Sequence, residues 1–585
     1  MLRITKAIAA IVFATGLTPS ALAATTPLKG DLFGTITSAD GTPMEGVAVT
    51  AQAESASFKT SVFTDANGHY YFPELNNGTY KVWAQAIGYK KADDTVSYKQ
   101  GNELSQDFTM KSIDDFSKQL SGDMWIESLP DSTPEDARMK QIVYNTCTTC
   151  HTGGYLLSKR FDEEGWNIII DAMINYMTRP GAKNRALMKA YKGEIASYLG
   201  KVRGDEDLMN YTGFPRISGD ATKVVVTEYD IPKGNDPGFV QVPDGSNWEL
   251  GSPGRGGEAL HDVVPGNDGY AYFSDNVYPD RTIGRLDPQT GEVTNFVVPH
   301  KKLASRTHAV MNAANGDIWA NNYSNGEFIK LDADAEKIIT FPKPKGGLPV
   351  GGHVEITPDG IIFASSNKGG VVKLDPKTGE YTDYIAPTPG GKPYGVAADR
   401  LGNMWMLNLG NDRIMWVDGK TGEIEEIKFP PVAGISEKDL NIAKTVNPNG
   451  ADGNAAPIHL RGPRRAGGDP KGDYIWIALY WSGEIARINI HTKDIKIYPV
   501  PSRYSHPYDI QVDKNQMVWT CQHNGDRLSK FNPETEEFTE YPLPSIGHEC
   551  RHLSVDNSTE IPTIWIAYSG SAKVARVQFR TDTSK

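Results

Sequence analysis

The sequence predicts a mainly β protein: a seven-bladed β-propeller preceded by a small β-sandwich and an α-helical segment. The first observation is a repeat. Aromatic anchors at Tyr272, Trp319, Phe363, Trp405, Trp476, Trp519 and Trp565 recur at spacings of 47, 44, 42, 71, 43 and 46 residues, and units of this length are the signature of propeller blades. The second is a cluster of short β-rich runs and turn signals before residue 112. The third is a set of helix signals between 113 and 205, beginning at Thr133-Pro134-Glu135-Asp136, where a hydroxyl cap, a first-turn proline and two acids coincide.

Composition narrows the function classes. The 585 residues are 39% hydrophobic and 23% charged, with a formal charge of −12, which argues against nucleic-acid binding and against disorder. Residues 1–23 read as an export signal: Arg3 and Lys6 form the basic region, Ala7 to Leu17 the apolar core, and Ala21-Leu22-Ala23 the cleavage site. A periplasmic protein with no transmembrane segment in its mature chain is expected.

Residues 24–112 form the expected sandwich. The runs Gly34-Thr35-Ile36-Thr37, Asp40-Gly41-Thr42-Pro43 and Gly46-Val47-Ala48-Val49 are followed by Gly68-His69-Tyr70-Tyr71-Phe72 and Gly78-Thr79-Tyr80. Together they resemble the carboxypeptidase regulatory-like (transthyretin-like) domain. The resemblance implies a fold and no chemistry.

Residues 113–205 carry the strongest chemical signal, Cys147-Thr148-Thr149-Cys150-His151. In an exported protein, two thiols at this spacing add to the vinyl groups of haem and the adjacent imidazole ligates iron. The alternatives are a redox dithiol, which would sit in a βαβ pattern that is absent, and half of a zinc site lacking its second pair. Trp166, Ile170 and Met173 resemble the Trp-x3-aliphatic-x2-Met pattern of a c-type cytochrome subfamily, which makes Met173 the first candidate for the sixth iron ligand. Met177, one turn on, is the second. Haem c is the expected cofactor.

Residues 222–579 form the expected propeller. The first run, Val224 to Pro232, has no repeat before it and is expected to complete the last blade. Ile283-Gly284-Arg285-Leu286-Asp287-Pro288 and Pro393-Tyr394-Gly395-Val396-Ala397-Ala398-Asp399 resemble the repeats of virginiamycin B lyase (streptogramin lyase). Eleven residues before each anchor lie His261, His308, Gly352 with His353 beside it, Tyr394, Arg465 and Tyr508, and His552 takes that place in the last blade. Clustering of histidine at one repeat position points to a polar site on the channel axis. His261, His308, His353 and His552 are candidate ligands of a second metal; His308 or His552 is a candidate general base, and Arg465 a candidate anchor for an anionic group.

A second ring, three residues after each anchor, comprises Asp275, Asn322, Ser366, Asn408, Leu479, Gln522 and Tyr568. The lyase resemblance implies glutamate there and none is present, leaving Asp275 as the substitute for a Mg²⁺ ligand. Cys521, His523, His548, Cys550 and His552 form either a soft metal cluster or, more plainly, a Cys521–Cys550 disulfide. His300 and His491 read as solvated edge residues. An insertion around 430–464 and a long connection at 233–260 are expected to form a lid over the channel.

A haem-dependent oxidoreductase or electron-transfer protein follows, with a small-molecule substrate at the propeller and a periplasmic electron carrier as partner. A lyase or hydrolase of the streptogramin-lyase kind with an accessory cytochrome is the alternative.

Overall fold

The computed structural model describes residues 29–176, 186–232, 243–254, 260–276, 281–298, 306–332, 334–448, 450–451 and 455–581. The export signal, Met177, His300 and parts of the two long connections lie outside them.

Six separate four-stranded antiparallel sheets follow one another along the chain at 260–296, 310–341, 354–385, 393–428, 463–499 and 507–542, numbered here as blades 1 to 6. Blade 7 combines three strands at 550–579 with Val224–Asp230, which pairs antiparallel with Lys573–Phe579, Val224 opposite Phe579. The inner strand of each blade touches that of the next, and blade 7 touches blade 1, so the seven sheets close into a ring around a central channel. Closure by a strand from the start of the propeller segment ties the ring together and removes an open sheet edge. Each anchor is buried between neighbouring blades; Trp405, for example, is wholly covered and donates its indole N–H to Asp399 at 3.0 Å.

The N-terminal sandwich has a buried core of Leu32, Ile36, Val47, Val49, Val62, Phe72 and Val82. One of its sheets is continuous with blade 7. Val224–Asp230 pairs on its far side with Phe58–Phe63, Lys59 opposite Glu228, giving one eight-stranded sheet across both units. Opposite charges directly across a ladder hold the seam: Lys59 Nζ lies 3.3 Å from Asp244 and 3.8 Å from Glu228, and Lys573 adds pairs to Asp230 and Asp244.

Among the described residues five α-helices lie between the sandwich and the propeller: α1 (Gly122–Glu127), α2 (Pro134–Cys147), α3 (Gly153–Leu157), α4 (Glu163–Tyr176) and α5 (Ala186–Val202). Thr133 caps α2 by accepting the Asp136 amide at 3.0 Å, with Pro134 in the first turn, as the sequence signal requires. Their shared core contains Trp125, Met139, Ile142, Val143, Trp166, Ile170, Tyr191 and Leu199.

The described parts of the two long connections act as struts, and Ala451, Ala456 and Leu460 of the 430–464 insertion, where a lid is expected, pack with Tyr480 and Tyr508. The 430–464 insertion contains α6 (Glu437–Val446), whose Asp439 accepts a bidentate pair from Arg138 of α2 at 2.7 and 2.8 Å and a hydrogen bond from Tyr191 of α5. Ala455 and Ile458 pack into the helical core. Of the 233–260 connection, Trp248 donates its indole N–H to the Pro544 carbonyl and its amide N–H to Gln85 Oε1, joining propeller to sandwich.

Candidate functional site at the channel mouth

The inner strands of blades 1, 4, 5, 6 and 7 each carry a β-bulge close to their first residues. A bulge inserts one residue and re-aims its neighbours, so two consecutive side chains turn toward the axis. Register fixes two layers. Three residues before the residue paired with each anchor lie His261, His308, Gly352, Tyr394, Arg464, Tyr508 and Arg551, at the mouth. One residue deeper lie Asp262, Ala309, His353, Gly395, Arg465, Asp509 and His552. Gly395 is required by close approach: a Cβ there would meet the Arg464 carbonyl oxygen at 2.3 Å.

Counting from the anchors therefore misplaces two blades. Val264 pairs with Tyr272, eight residues on, whereas Gly467 pairs with Trp476 and Ser554 with Trp565, nine and eleven residues on. The longer hairpins move Arg465 and His552 into the deep layer and bring Arg464 and Arg551 to the mouth. Sequence reasoning missed Arg464 and Arg551 for this reason, and Asp262 and Asp509 because the bulges add a second inward-facing layer; the signal was the adjacent pairs His261-Asp262, Arg464-Arg465, Tyr508-Asp509 and Arg551-His552 at one repeat position.

The deep layer is a buried ionic knot. Arg465 donates to both oxygens of Asp262, at 2.8 and 3.1 Å, and lies 3.7 Å from Asp509, all three fully buried. It is committed to carboxylates, so it does not serve as the expected anion anchor. Burial alone would raise the Asp262 carboxyl, but Arg465 overrides it and holds it below the ordinary range; Asp509 is left raised by burial.

Asp262, His353 and His552 offer three ligand atoms within 4.8 Å of one another. Their chemistry does not fit a resident metal. The Val396 amide donates to His353 Nδ1 and the Val263 amide to His552 Nδ1, each at 3.2 Å. An amide only donates, so each Nδ1 is the lone-pair nitrogen and the ring proton sits on Nε2. The two rings therefore present N–H groups, not lone pairs, toward Asp262. His261 touches this group, its Nδ1 2.7 Å from Asp262 Oδ1, and its ring meets that of His308 in the mouth, tilted by 36° with centroids 3.6 Å apart. Burial holds His261, His308 and His353 well below the usual imidazole range, and so neutral.

At the mouth, Tyr394 and Tyr508 share a 2.5 Å hydrogen bond between hydroxyls, and His308 Nε2 lies 3.4 Å from the Tyr394 hydroxyl. Arg464 lies over the rings of Tyr394, Tyr480 and Tyr508 at 4.6, 4.3 and 4.0 Å and donates to Tyr508 at 3.0 Å. Burial raises both phenols, but Arg464, followed by Arg551 and Arg465, turns Tyr508 the other way, so Tyr394 keeps its proton and Tyr508 is the acidic partner. His308, Tyr394 and Arg464 are partly solvent-accessible.

The second ring serves the blades. Asp275, the substitute metal ligand, pairs with Arg281 at 3.0 Å, and Gln522 donates to Ser529 and Glu540. Cys521 and Cys550 are joined in a disulfide, which excludes the soft cluster; His548 stacks on Tyr568 at 4.1 Å, and His491 is a half-exposed partner of Asp473.

The Cys147–His151 turn follows α2 and docks on this same face. Thr148 Oγ1, between the two cysteines, lies 2.8 Å from His506 Nε2. His506 immediately precedes the inner strand of blade 6 and is sandwiched between Tyr144 of α2 and Tyr480, at centroid distances of 4.0 and 4.2 Å. Gly153 donates to Asn524, and Arg527 pairs with Asp123 at 2.6 Å. Cys147 and Cys150 carry thiols and are half-buried, as is His151, whose ring meets Tyr155 at 5.4 Å. The donor set fits haem c: two thiols and an imidazole on one turn, with Tyr155, Phe161, Ile168 and Met173 of the same unit exposing 37 to 62% of their large apolar side chains. Trp166 and Ile170 belong to the helical core; Met173 is on the exposed part of α4.

Residues 31–111 match the model of the carboxypeptidase regulatory-like domain. No curated protein matches the chain. Among solved structures it is similar to virginiamycin B lyase from Staphylococcus aureus, at 14% identity and a TM-score of 0.46 over 61% of this chain and 99% of that one. It is also similar to a streptogramin B lyase, at 18% identity and a TM-score of 0.45 over 55% and 94%. A third is a catalytically inactive form of the S. aureus enzyme with quinupristin, at 15% identity and a TM-score of 0.44 over 55% and 95%. Among the described residues no helix is long and apolar enough to cross a membrane.

Proposed function

We propose that the chain is an exported c-type haem protein in which a small substrate binds at the propeller mouth and electrons leave through the helical unit to a periplasmic carrier. The observation that carries this reading is the 2.8 Å contact between Thr148, inside the Cys-x-x-Cys-His turn, and His506, two residues before Tyr508 of the mouth. Chance adjacency would not bring the one motif with redox chemistry onto the one end of the propeller where arginine, tyrosine and histidine converge. The Cys521–Cys550 disulfide supports an oxidising compartment.

Cys147 and Cys150 would hold the porphyrin through thioether bonds, and His151, with Met173 as the further candidate, would ligate the iron. When bound, the haem would supply a one-electron acceptor beside the mouth. His308, neutral and facing the mouth, is the group placed to take a proton from bound substrate, and Tyr394, whose hydroxyl contacts His308 Nε2 and Tyr508, orients its ring.

The test is reduction of the oxidised holoprotein by a panel of small organic substrates, followed spectroscopically. Reduction that is lost in His308→Ala supports the reading. Reduction unchanged in that variant, or no reduction by any compound although haem is attached, overturns the mouth as the site of oxidation.

A further inference from the structure

Arg464 stands apart among the arginines of the channel. Arg465 has Asp262 and Asp509, and Arg551 has Glu549 at 3.6 Å. Among the described residues Arg464 has no carboxylate partner: its hydrogen bonds go through Nη2 to the hydroxyls of Tyr508 and Tyr394, and its Nε is buried with no acceptor. A guanidinium partly withdrawn from water that meets only phenol groups, Tyr508 the more acidic of them, keeps donor capacity that a carboxylate can complete. Three tyrosine faces hold it rigidly, so little order is lost when a partner arrives. Beside it stand Tyr394 and His308, whose ring meets that of Tyr394 edge-on at 5.7 Å, and all three side chains are partly solvent-accessible.

We infer that Arg464 anchors a carboxylate-binding subsite in the channel mouth, taking the headgroup of a small aromatic acid whose ring lies against His308 and Tyr394. The inference names the substrate class for the mouth proposed above and rests on that reading. A planar two-oxygen anion matches the guanidinium fork, and the aromatic walls favour a flat apolar body over a strongly hydrated ion such as phosphate.

The experiment is calorimetric titration of the haem-loaded protein with benzoate, benzamide and inorganic phosphate, with Arg464→Gln as the comparison. Benzoate is expected to bind the wild type and to lose at least tenfold in affinity in R464Q, since charge-assisted hydrogen bonds carry a loss of that order. Benzamide, which lacks the charge, is expected to bind at least tenfold more weakly than benzoate. Equal benzoate affinity in R464Q, or equal affinity for benzamide, overturns the subsite. If R464Q does not fold, modification of wild-type Arg464 by phenylglyoxal decides: protection by benzoate supports the subsite and an unchanged rate overturns it. Calorimetry does not depend on electron transfer, so benzoate binding without haem reduction counts against the redox reading alone, and haem reduction without benzoate binding counts against the subsite alone.

Discussion

Thr148 and His506 are 358 residues apart in sequence and their side chains are 2.8 Å apart in space, one inside the Cys-x-x-Cys-His turn and the other at the entrance to the inner strand of blade 6. His506 also contacts the Tyr480 carbonyl oxygen through Nδ1 at 2.7 Å and donates its amide to the Tyr144 hydroxyl. One imidazole thus bridges α2, its following turn and two blades.

Replacing His506 by alanine removes two stacked ring contacts and both side-chain hydrogen bonds from a fully buried site, and should cost about 2–4 kcal/mol. The loss should be local to the dock. Hydrogen exchange should speed up in α2 and α3 while the strands of blades 2 and 3 keep their protection.

The same residue makes the dock acid-sensitive. Burial, opposed by its hydrogen bond to the Tyr480 carbonyl and helped by the nearby Arg464 charge, brings His506 down from 6.5 to about 3. The unfolded chain then binds a proton that the folded one refuses between those values. Stability is complete above about pH 6.5 and falls as the pH drops toward 3, by about 1.4 kcal/mol for each pH step. Denaturant titrations from pH 7 to 4 should show this slope in the wild type and a shallower one in His506→Gln.

Arg465 is predicted to be structural. Arg465→Met leaves Asp262 and Asp509 buried without their cation and should destabilise the propeller by about 3–5 kcal/mol. Adding Asp262→Asn and Asp509→Asn should recover much of that loss in thermal unfolding, because the uncompensated charges go with it.

The disulfide closes a loop between residues 29 apart in sequence and joins blade 6 to blade 7. On the chain-entropy account its loss in Cys521→Ser/Cys550→Ser should cost about 3–4 kcal/mol, visible as a lower midpoint in denaturant with the haem turn unaffected.

Much of the architecture was readable because each blade repeats one pattern. The anchors located the blades, and Val224–Asp230 could be assigned to blade 7 because it had an outer-strand pattern and no blade before it. Side-chain layers were harder to read. A hairpin longer by one residue, as before Trp476, shifts the count by one position, and a bulge then makes that position the difference between Arg464 at the mouth and Arg465 in a sealed ion pair. The pairing of Lys59 with Glu228 across two units, and α6 as a strut holding Arg138, depend on long-range contacts that leave no local period. Composition marked the 430–464 insertion as a loop and said nothing of what it would grip.

The central claim is that the Cys147–His151 turn carries haem against the propeller mouth. Peptide mass analysis of protein made in cells that mature c-type cytochromes tests it most directly. The account predicts that the peptide spanning Cys147 and Cys150 carries the mass of one haem, and that Cys147→Ser/Cys150→Ser abolishes it. Recovery of that peptide with both thiols unmodified, from cells that load a control cytochrome, would contradict it.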